Sequence, residues 1–285
     1  MIAEIKQGLK SNFLIPVLSD VGMGYIHSIY ENTFNIIFEG TLIHFGEMQS
    51  SVSAFGMLIP SRDLKAIMAA IEREDRVKIQ AGTLTIYAQN KTWKIKTTSF
   101  KQVDCLVPSM DLVDQTFLKE LLKKLLSLSI EKRTGVITSE EELIFINKLV
   151  DTKWEDECFQ KSFISHFIGR GIGLTPSGDD MLMGILMMNQ SLRFNENWKE
   201  TLMEQLKKIK TTEVSMAYYK ALSEGYTSSF FVDFLQAIKE KNLTNWDELI
   251  NQISKYGHTS GWDTLYGIQL FLQKWIKYNE TVLSK

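Results

Sequence analysis

The residues best suited to chemistry lie between 169 and 184, where the chain reads Gly-Arg-Gly-Ile-Gly-Leu-Thr-Pro-Ser-Gly-Asp-Asp-Met-Leu-Met-Gly. Alternating Gly169, Gly171 and Gly173 permit positive φ and close backbone approach, so successive N–H groups can point into one concavity. Ser177-Gly178-Asp179-Asp180 then reads as a helix start, whose unpaired amides and positive dipole end face the same way. These are the physical components of an anion site, one that would suit a phosphate, a carboxylate or carbamoyl phosphate. Arg170, Gly171, Gly173, Thr175, Ser177, Gly178 and Asp179 are its candidate binding residues, and Asp180 is a candidate catalytic residue. Two carboxylates beside an anion repel it unless a cation intervenes, and either Arg170 or a hard divalent ion would serve. A structural alternative stays open, with Ser177 as an N-cap, the acids offsetting the macrodipole and the glycines turning tightly between packed helices.

A second stretch repeats the pattern. Ser177-Gly178-Asp179-Asp180-Met181-Leu182-Met183-Gly184 aligns with Ser260-Gly261-Trp262-Asp263-Thr264-Leu265-Tyr266-Gly267, sharing Ser, Gly, Asp, Leu and Gly at the same offsets. In each, Ser would cap a helix with Asp in its first turn. Both helices are apolar on nearly every face, as Leu182, Ile185, Leu186 and Met188 show on one and Leu265, Ile268, Leu270, Phe271 and Trp275 on the other, so both are expected to be central. Gly184 and Gly267 would let them cross closely. Adjacent N-termini would concentrate positive backbone potential at one spot, adding Thr259, Ser260 and Gly261 to the binding set and His258 and Asp263 to the catalytic set. His258 could donate to a substrate oxygen or move a proton near neutral pH, and a turn-forming role fits it equally well. A further helix start, Thr211-Thr212-Glu213-Val214-Ser215, becomes a candidate if it also points at the glycine stretch.

Other chemistries fit poorly. The G-x-G-x-G spacing after a helical segment is not the dinucleotide fingerprint, and the stretch has no Gly-Lys-Ser/Thr for a phosphate-binding loop. A net charge of -2, with Lys and Arg scattered, gives no footprint for nucleic acid or an anionic membrane. Cys105 and Cys158 stand far apart without metal-ligand spacing, which fits a reducing cytoplasm. No apolar run approaches the roughly 20 residues of a membrane span. No metal and no cofactor is assigned.

The elements that must hold these residues divide the chain in two. Over 1–109 the pattern is β-rich: Tyr25–Tyr30, Phe34–Phe38, Thr41–Phe45, Ala54–Ile59, Val77–Gln80, Leu84–Ala88 and Thr92–Lys96 read as short strands, parted by Glu39-Gly40, Ala81-Gly82 and Gln89-Asn90. Gly22-Met23-Gly24 reads as a turn ahead of the first strand, and one helix starts with Ser61 as N-cap. So many short strands must close or stack to hide their edges, which predicts a barrel or sandwich. Over 110–285 the apolar period becomes helical, with helices expected near 111–130, 139–149, 153–168, 178–192, 196–210, 212–225, 228–241, 246–256 and 261–277. Ser139 and Glu142 form a capping box. The fold class is α+β, an N-terminal β-rich barrel or sandwich followed by a larger all-helical domain.

The motif at 169–180, the Thr-x-x-Ser start at 212–215 and Thr-Ser-Gly-x-Asp-x-Leu-x-Gly at 259–267 together resemble a bacterial family long catalogued as a domain of unknown function. That family includes the H subunit of oxamate carbamoyltransferase, of anaerobic allantoin and purine catabolism. The resemblance implies a transfer in which the amide nitrogen of oxamate attacks the carbamoyl carbon of carbamoyl phosphate and phosphate leaves, with other subunits as partners and a small anionic metabolite as ligand. Two other readings remain open: a non-catalytic metabolite-binding or scaffold subunit, and a metal-dependent hydrolase using Asp179, Asp180, Asp263 and His258.

Overall fold

The structure is a computed structural model that describes residues 2–110 and 114–283. The fold is α+β. Ten strands, β1 (Ile2–Ile5), β2 (Leu9–Ser11), β3 (Gly22–Ile29), β4 (Phe34–Phe38), β5 (Thr41–Glu47), β6 (Gly56–Ile59), β7 (Arg76–Gln80), β8 (Thr83–Tyr87), β9 (Thr92–Lys96) and β10 (Lys101–Val103), form one curled sheet. Its order is β1-β9-β8-β7-β3-β4-β5-β6-β2-β10. Two short helices, α1 (Ile15–Ser19) and α2 (Ser61–Met68), accompany it.

All seven expected strands are present. The hairpins β4–β5 and β7–β8 turn on Glu39-Gly40 and Ala81-Gly82, where both residues of each pair have positive φ, the requirement of a two-residue turn matched to strand twist. Along β7, β8 and β9 buried residues alternate with partly or fully exposed ones, and Val77, Ile79, Leu84, Ile86, Trp93 and Ile95 supply the inner face. The Gly22-Met23-Gly24 run is not a turn but the start of β3, paired with Ile79, Lys78 and Val77 of β7. Its glycines hid the strand signal, which rests on side chains that glycine lacks.

The helices that follow are α3 (Gln115–Ser127), α4 (Glu140–Asp151), α5 (Glu157–Phe167), α6 (Ser177–Ser191), α7 (Glu196–Leu206), α8 (Glu213–Ser223), α9 (Ser229–Lys239), α10 (Trp246–Ser254) and α11 (Ser260–Leu283). Each corresponds to an expected helix; the start expected for the first, at 111–113, lies outside the described residues. No helix among the described residues is long and apolar enough to cross a membrane. The chain divides into two compact units, one of residues up to Leu106 with Tyr226–Val232, the other of Val107–Gly225 with the residues from Asp233 onward. In the first, Tyr226–Val232 is tied down by a bridge from Tyr226 to Leu106 and by the Thr227 and Ser229 amides donating to Cys105 and Val52 carbonyls. In the second, α6 is buried from Ser177 to Asn189, so it runs through the centre of the helical unit, and α11 packs along it. At roughly 1.5–3 kcal/mol for each large apolar side chain removed from water, this pair is a principal source of that unit's stability.

Candidate functional site

The candidate site is where α6 and α11 begin. The two helices cross with their backbones touching: a Cβ on Gly184 would fall 2.1 Å from the Thr264 carbonyl oxygen and 3.1 Å from the Ile268 nitrogen. A Cβ on Gly267 would fall 2.0 Å from the Met181 carbonyl oxygen and 3.0 Å from the Ile185 nitrogen. Thr264 and Met181 are equivalent positions of the repeated pattern, as are Ile268 and Ile185, so the crossing is reciprocal. Gly178 and Gly261 continue the equivalence, each packing on a carbonyl of the helix before it, Phe167 in α5 and Ile253 in α10.

Close crossing brings the helix N-termini together. Thr175 Oγ1 and Ser260 Oγ stand 2.9 Å apart, and Ser177 Oγ and Thr259 Oγ1 3.5 Å. Ser177 is not the N-cap. Pro176 holds that position, no side chain caps the helix, and Ser177 is the first helical residue, its hydroxyl turned toward Thr259. The same displacement occurs at α2, where Pro60 takes the cap position and Ser61 donates to Glu47 instead. A proline has the extended ψ and fixed φ that a cap residue needs, so it shifts the serine one place inward.

Asp180 and Asp263 are both buried, 2% and 0% exposed. Oδ1 of Asp263 accepts from Thr134 Oγ1 at 2.6 Å and from the Gly135 amide at 2.7 Å. Oδ2 of each aspartate is buried without a hydrogen-bond partner. Burial raises the Asp180 pKa well above the usual carboxylate range; the Ser260 and Thr175 hydroxyls oppose this and the charges of Asp263 and Asp179 reinforce it. Burial raises Asp263 as well, against the Thr134, Thr259, Gly135 and Ser177 donors.

Asp179 points elsewhere. Its Oδ1 accepts from the Gly169 amide and from Tyr219 Oη, both at 2.9 Å, and its Oδ2 accepts from Thr211 Oγ1. It therefore fastens the start of the glycine loop to α8. Thr212 helps, capping α8 through the Ser215 amide and donating to the Leu174 carbonyl, so this helix start does reach the glycine stretch. Arg170 is half exposed and its Nε donates to Glu142, so it is not the cation that relieves the aspartates. Glu142 is buried, a cost that the Thr138 hydroxyl and amide and Arg170 together outweigh, holding its pKa below the usual range. The capping box at α4 is thereby half formed: Ser139 accepts from the Glu142 amide, but the Glu142 carboxylate returns to Thr138.

Gly171 and Gly173 lie in an exposed loop with φ of 121° and 92°. Around them most first-turn amides are occupied. Gly178 donates to the Arg170 carbonyl, Asp179 and Asp180 to Pro176, Gly261 to Tyr256 and Asp263 to Thr259. The amides of Ser177, Ser260 and Trp262 make no hydrogen bond among the described residues. His258 is exposed beside them, and its side chain makes no hydrogen bond among the described residues. Arg133 was not foreseen; its guanidinium lies 4.5 Å from the Trp262 ring centroid, bringing positive charge to the start of α11. Thr134, Gly135 and Tyr219 were also missed, and of these only Gly135, a lone glycine between helices, carried any local signal; Thr211, from the helix start already singled out, donates to Asp179.

No solved structure matches the chain. Residues 5–102 match the AllH family N-terminal domain, and residues 167–272, which hold both helix starts, match the oxamate carbamoyltransferase subunit AllH. The chain thus belongs to the AllH family of oxamate carbamoyltransferase subunits.

Proposed function

We propose that this subunit of a carbamoyltransferase holds a small anion, the carboxylate of oxamate or the phosphate of carbamoyl phosphate, at the joined N-termini of α6 and α11. The observation that carries the reading is that the two helix starts meet, with the Ser177, Ser260 and Trp262 amides making no hydrogen bond among the described residues and the Arg133 guanidinium against the Trp262 ring. In the transfer, the amide nitrogen of oxamate attacks the carbamoyl carbon and phosphate leaves. Such a step needs two anions positioned and developing oxyanion charge met by donors, more than it needs a side-chain nucleophile. His258, exposed just ahead of α11, is the side chain assigned the proton transfer in this reading. Allantoin catabolism is the setting that the family suggests, and the widely separated cysteines fit a reducing cytoplasm.

Calorimetric titration of the full chain with oxamate and with carbamoyl phosphate, alone and with its partner subunits, tests this. Arg133→Ala, and Ser260→Pro, which removes one of the free amides at the first helical position, where proline is tolerated, are each expected to weaken binding roughly tenfold or more, the scale of a lost charge-assisted hydrogen bond. Unchanged binding and unchanged activity of the reconstituted assembly in both variants would end the reading.

One observation favours a second role for the glycine loop. Ile172 is 93% exposed and Leu174 48% at its tip, beside the site, as expected of a loop that packs on a partner subunit. Ile172→Lys would then abolish co-purification with the other subunits and leave anion binding by the free chain intact; retained association excludes this role.

A further inference from the structure

Asp180 and Asp263 occupy equivalent positions on two helices that cross in contact, and both are buried. Each has one carboxylate oxygen, Oδ2, that is sealed from solvent with no hydrogen-bond partner. No ion pair involving either aspartate is found among the described residues, and the one basic side chain in the motif, Arg170, serves Glu142. The hydroxyls of Ser260 and Thr175 neighbour Asp180, and those of Thr259 and Ser177 neighbour Asp263. None of the four reaches an Oδ2 in hydrogen-bonding geometry. The Ser177 and Thr259 hydroxyls, 3.5 Å apart, also fall outside the 2.5–3.0 Å or so of a good O–H···O bond. Hydroxyls and carboxylates thus crowd together, and their mutual hydrogen bonds leave the two Oδ2 atoms bare.

We propose that Asp180 and Asp263 together bind one hard divalent cation, Mg²⁺ or Mn²⁺, between the N-termini of α6 and α11. The donor chemistry selects the class. The atoms named here are carboxylate and hydroxyl oxygens, with no thiolate or imidazole among them, which suits a hard cation. Mg²⁺ is commonly held by one or two protein carboxylates, with its other positions left to water and to the oxygens of an anionic substrate. Two aspartates are that number. The roof is equally specific: a Cβ on Gly135 would lie 2.5 Å from Ser177 Oγ and 3.3 Å from Thr259 Oγ1, so any side chain there would fill the space over the hydroxyls. The cation site stands whether or not an anion binds at the neighbouring amides.

The test uses Mn²⁺ alone, with no oxamate or carbamoyl phosphate, on the full chain freed of metal by chelator. Electron paramagnetic resonance of free Mn²⁺ is expected to show one bound ion per chain, displaced by Mg²⁺. Asp180→Asn and Asp263→Asn, which keep shape and the Oδ1 acceptor, are each expected to weaken binding by about 100-fold or more, beyond what loss of an outer-shell partner produces. Wild-type chain that binds no Mn²⁺, or variants that bind it as tightly as wild type, overturns the proposal. If an asparagine variant fails to fold, Thr175→Ala decides: weaker Mn²⁺ binding supports the site and unchanged affinity counts against it. Because no anion is present, failure here leaves the anion reading standing, and failure of oxamate binding leaves this one standing.

Discussion

Replacing Gly184 with alanine pits two physical effects against each other. Alanine is the better helix former by about 1 kcal/mol, so helix propensity alone predicts stabilisation. The new Cβ would sit 2.1 Å from the Thr264 carbonyl oxygen, and both that oxygen and the Ile268 nitrogen belong to backbone, which cannot rotate away. Restoring ordinary van der Waals contact requires α6 and α11 to separate by about 1 Å along most of their buried seam, and overpacking of this kind costs about 1–3 kcal/mol or more. The upper part of that range applies because no flexible side chain can yield. The net expectation is a loss of about 2 kcal/mol, a fall in Tm of roughly 4–8 °C for a unit of this size. Gly267→Ala should match it, its Cβ meeting the Met181 carbonyl at 2.0 Å. The double variant should lose less than the sum, because one separation accommodates both methyl groups. Urea and thermal unfolding followed by helical ellipticity measure all three. An alanine at 184 that leaves stability unchanged or raised, or strictly additive losses, would refute contact between the two backbones.

Other consequences follow from named contacts. Asp179→Ala leaves the Gly169 amide and the Tyr219 and Thr211 hydroxyls without their acceptor, so urea unfolding should show a loss of about 3 kcal/mol or more, against about 1 kcal/mol for Tyr219→Phe. Arg170→Ala takes a half-exposed cation from the buried Glu142, which keeps its Thr138 donors, so a loss of about 1–3 kcal/mol is expected, with binding at the amides unaltered. In the β-rich unit, burial pushes the His44 pKa down to about 4 from its usual 6.5, and Nδ1–H donates to Asn35 Oδ1 at 3.0 Å. The unfolded chain therefore takes up a proton below pH 6.5 that the folded chain refuses until about pH 4, so stability falls as pH drops through that window, by up to roughly 3 kcal/mol. His44→Gln should flatten that part of the profile.

Periodicity carried most of the fold because it reports which residues face inward. The alternation in β7 to β9 and the nearly all-apolar faces of α6 and α11 were visible in residue types alone. Short strands at and next to the sheet edges were not. β1, β2 and β10 are three or four residues long and pair through backbone groups that leave no mark on the sequence. The site divides along similar lines. The repeated Ser-Gly-x-Asp pattern announced both helix starts and their meeting, since glycines at matched positions are the trace of a close crossing. What the pattern could not say is which way each polar group turns. Asp179 and Asp180 are neighbours in sequence, yet about 100° of helical turn sends one to Tyr219 and Thr211 and the other toward Asp263. Thr134 and Gly135 come from a loop more than a hundred residues before Asp263, and only folding shows that they serve it.

That divergence of Asp179 and Asp180 gives one further prediction, because the two have opposite energetic character. Asp179 has a donor for each oxygen and stabilises the fold. Asp180 is buried beside a second carboxyl group, with one oxygen unbonded and the two charges raising each other's cost. In metal-free protein Asp180→Asn should therefore stabilise the helical unit by about 1–2 kcal/mol, since it removes a desolvated like charge while keeping the shape. Mn²⁺ in excess should reverse the order, raising the wild-type Tm with its concentration and leaving the variant unmoved, because only a ligand that binds the folded state adds stability in this way. If instead Asp180→Asn destabilises the protein equally with and without Mn²⁺, Asp180 is a structural acceptor like Asp179, and the free oxygen has no cation to hold.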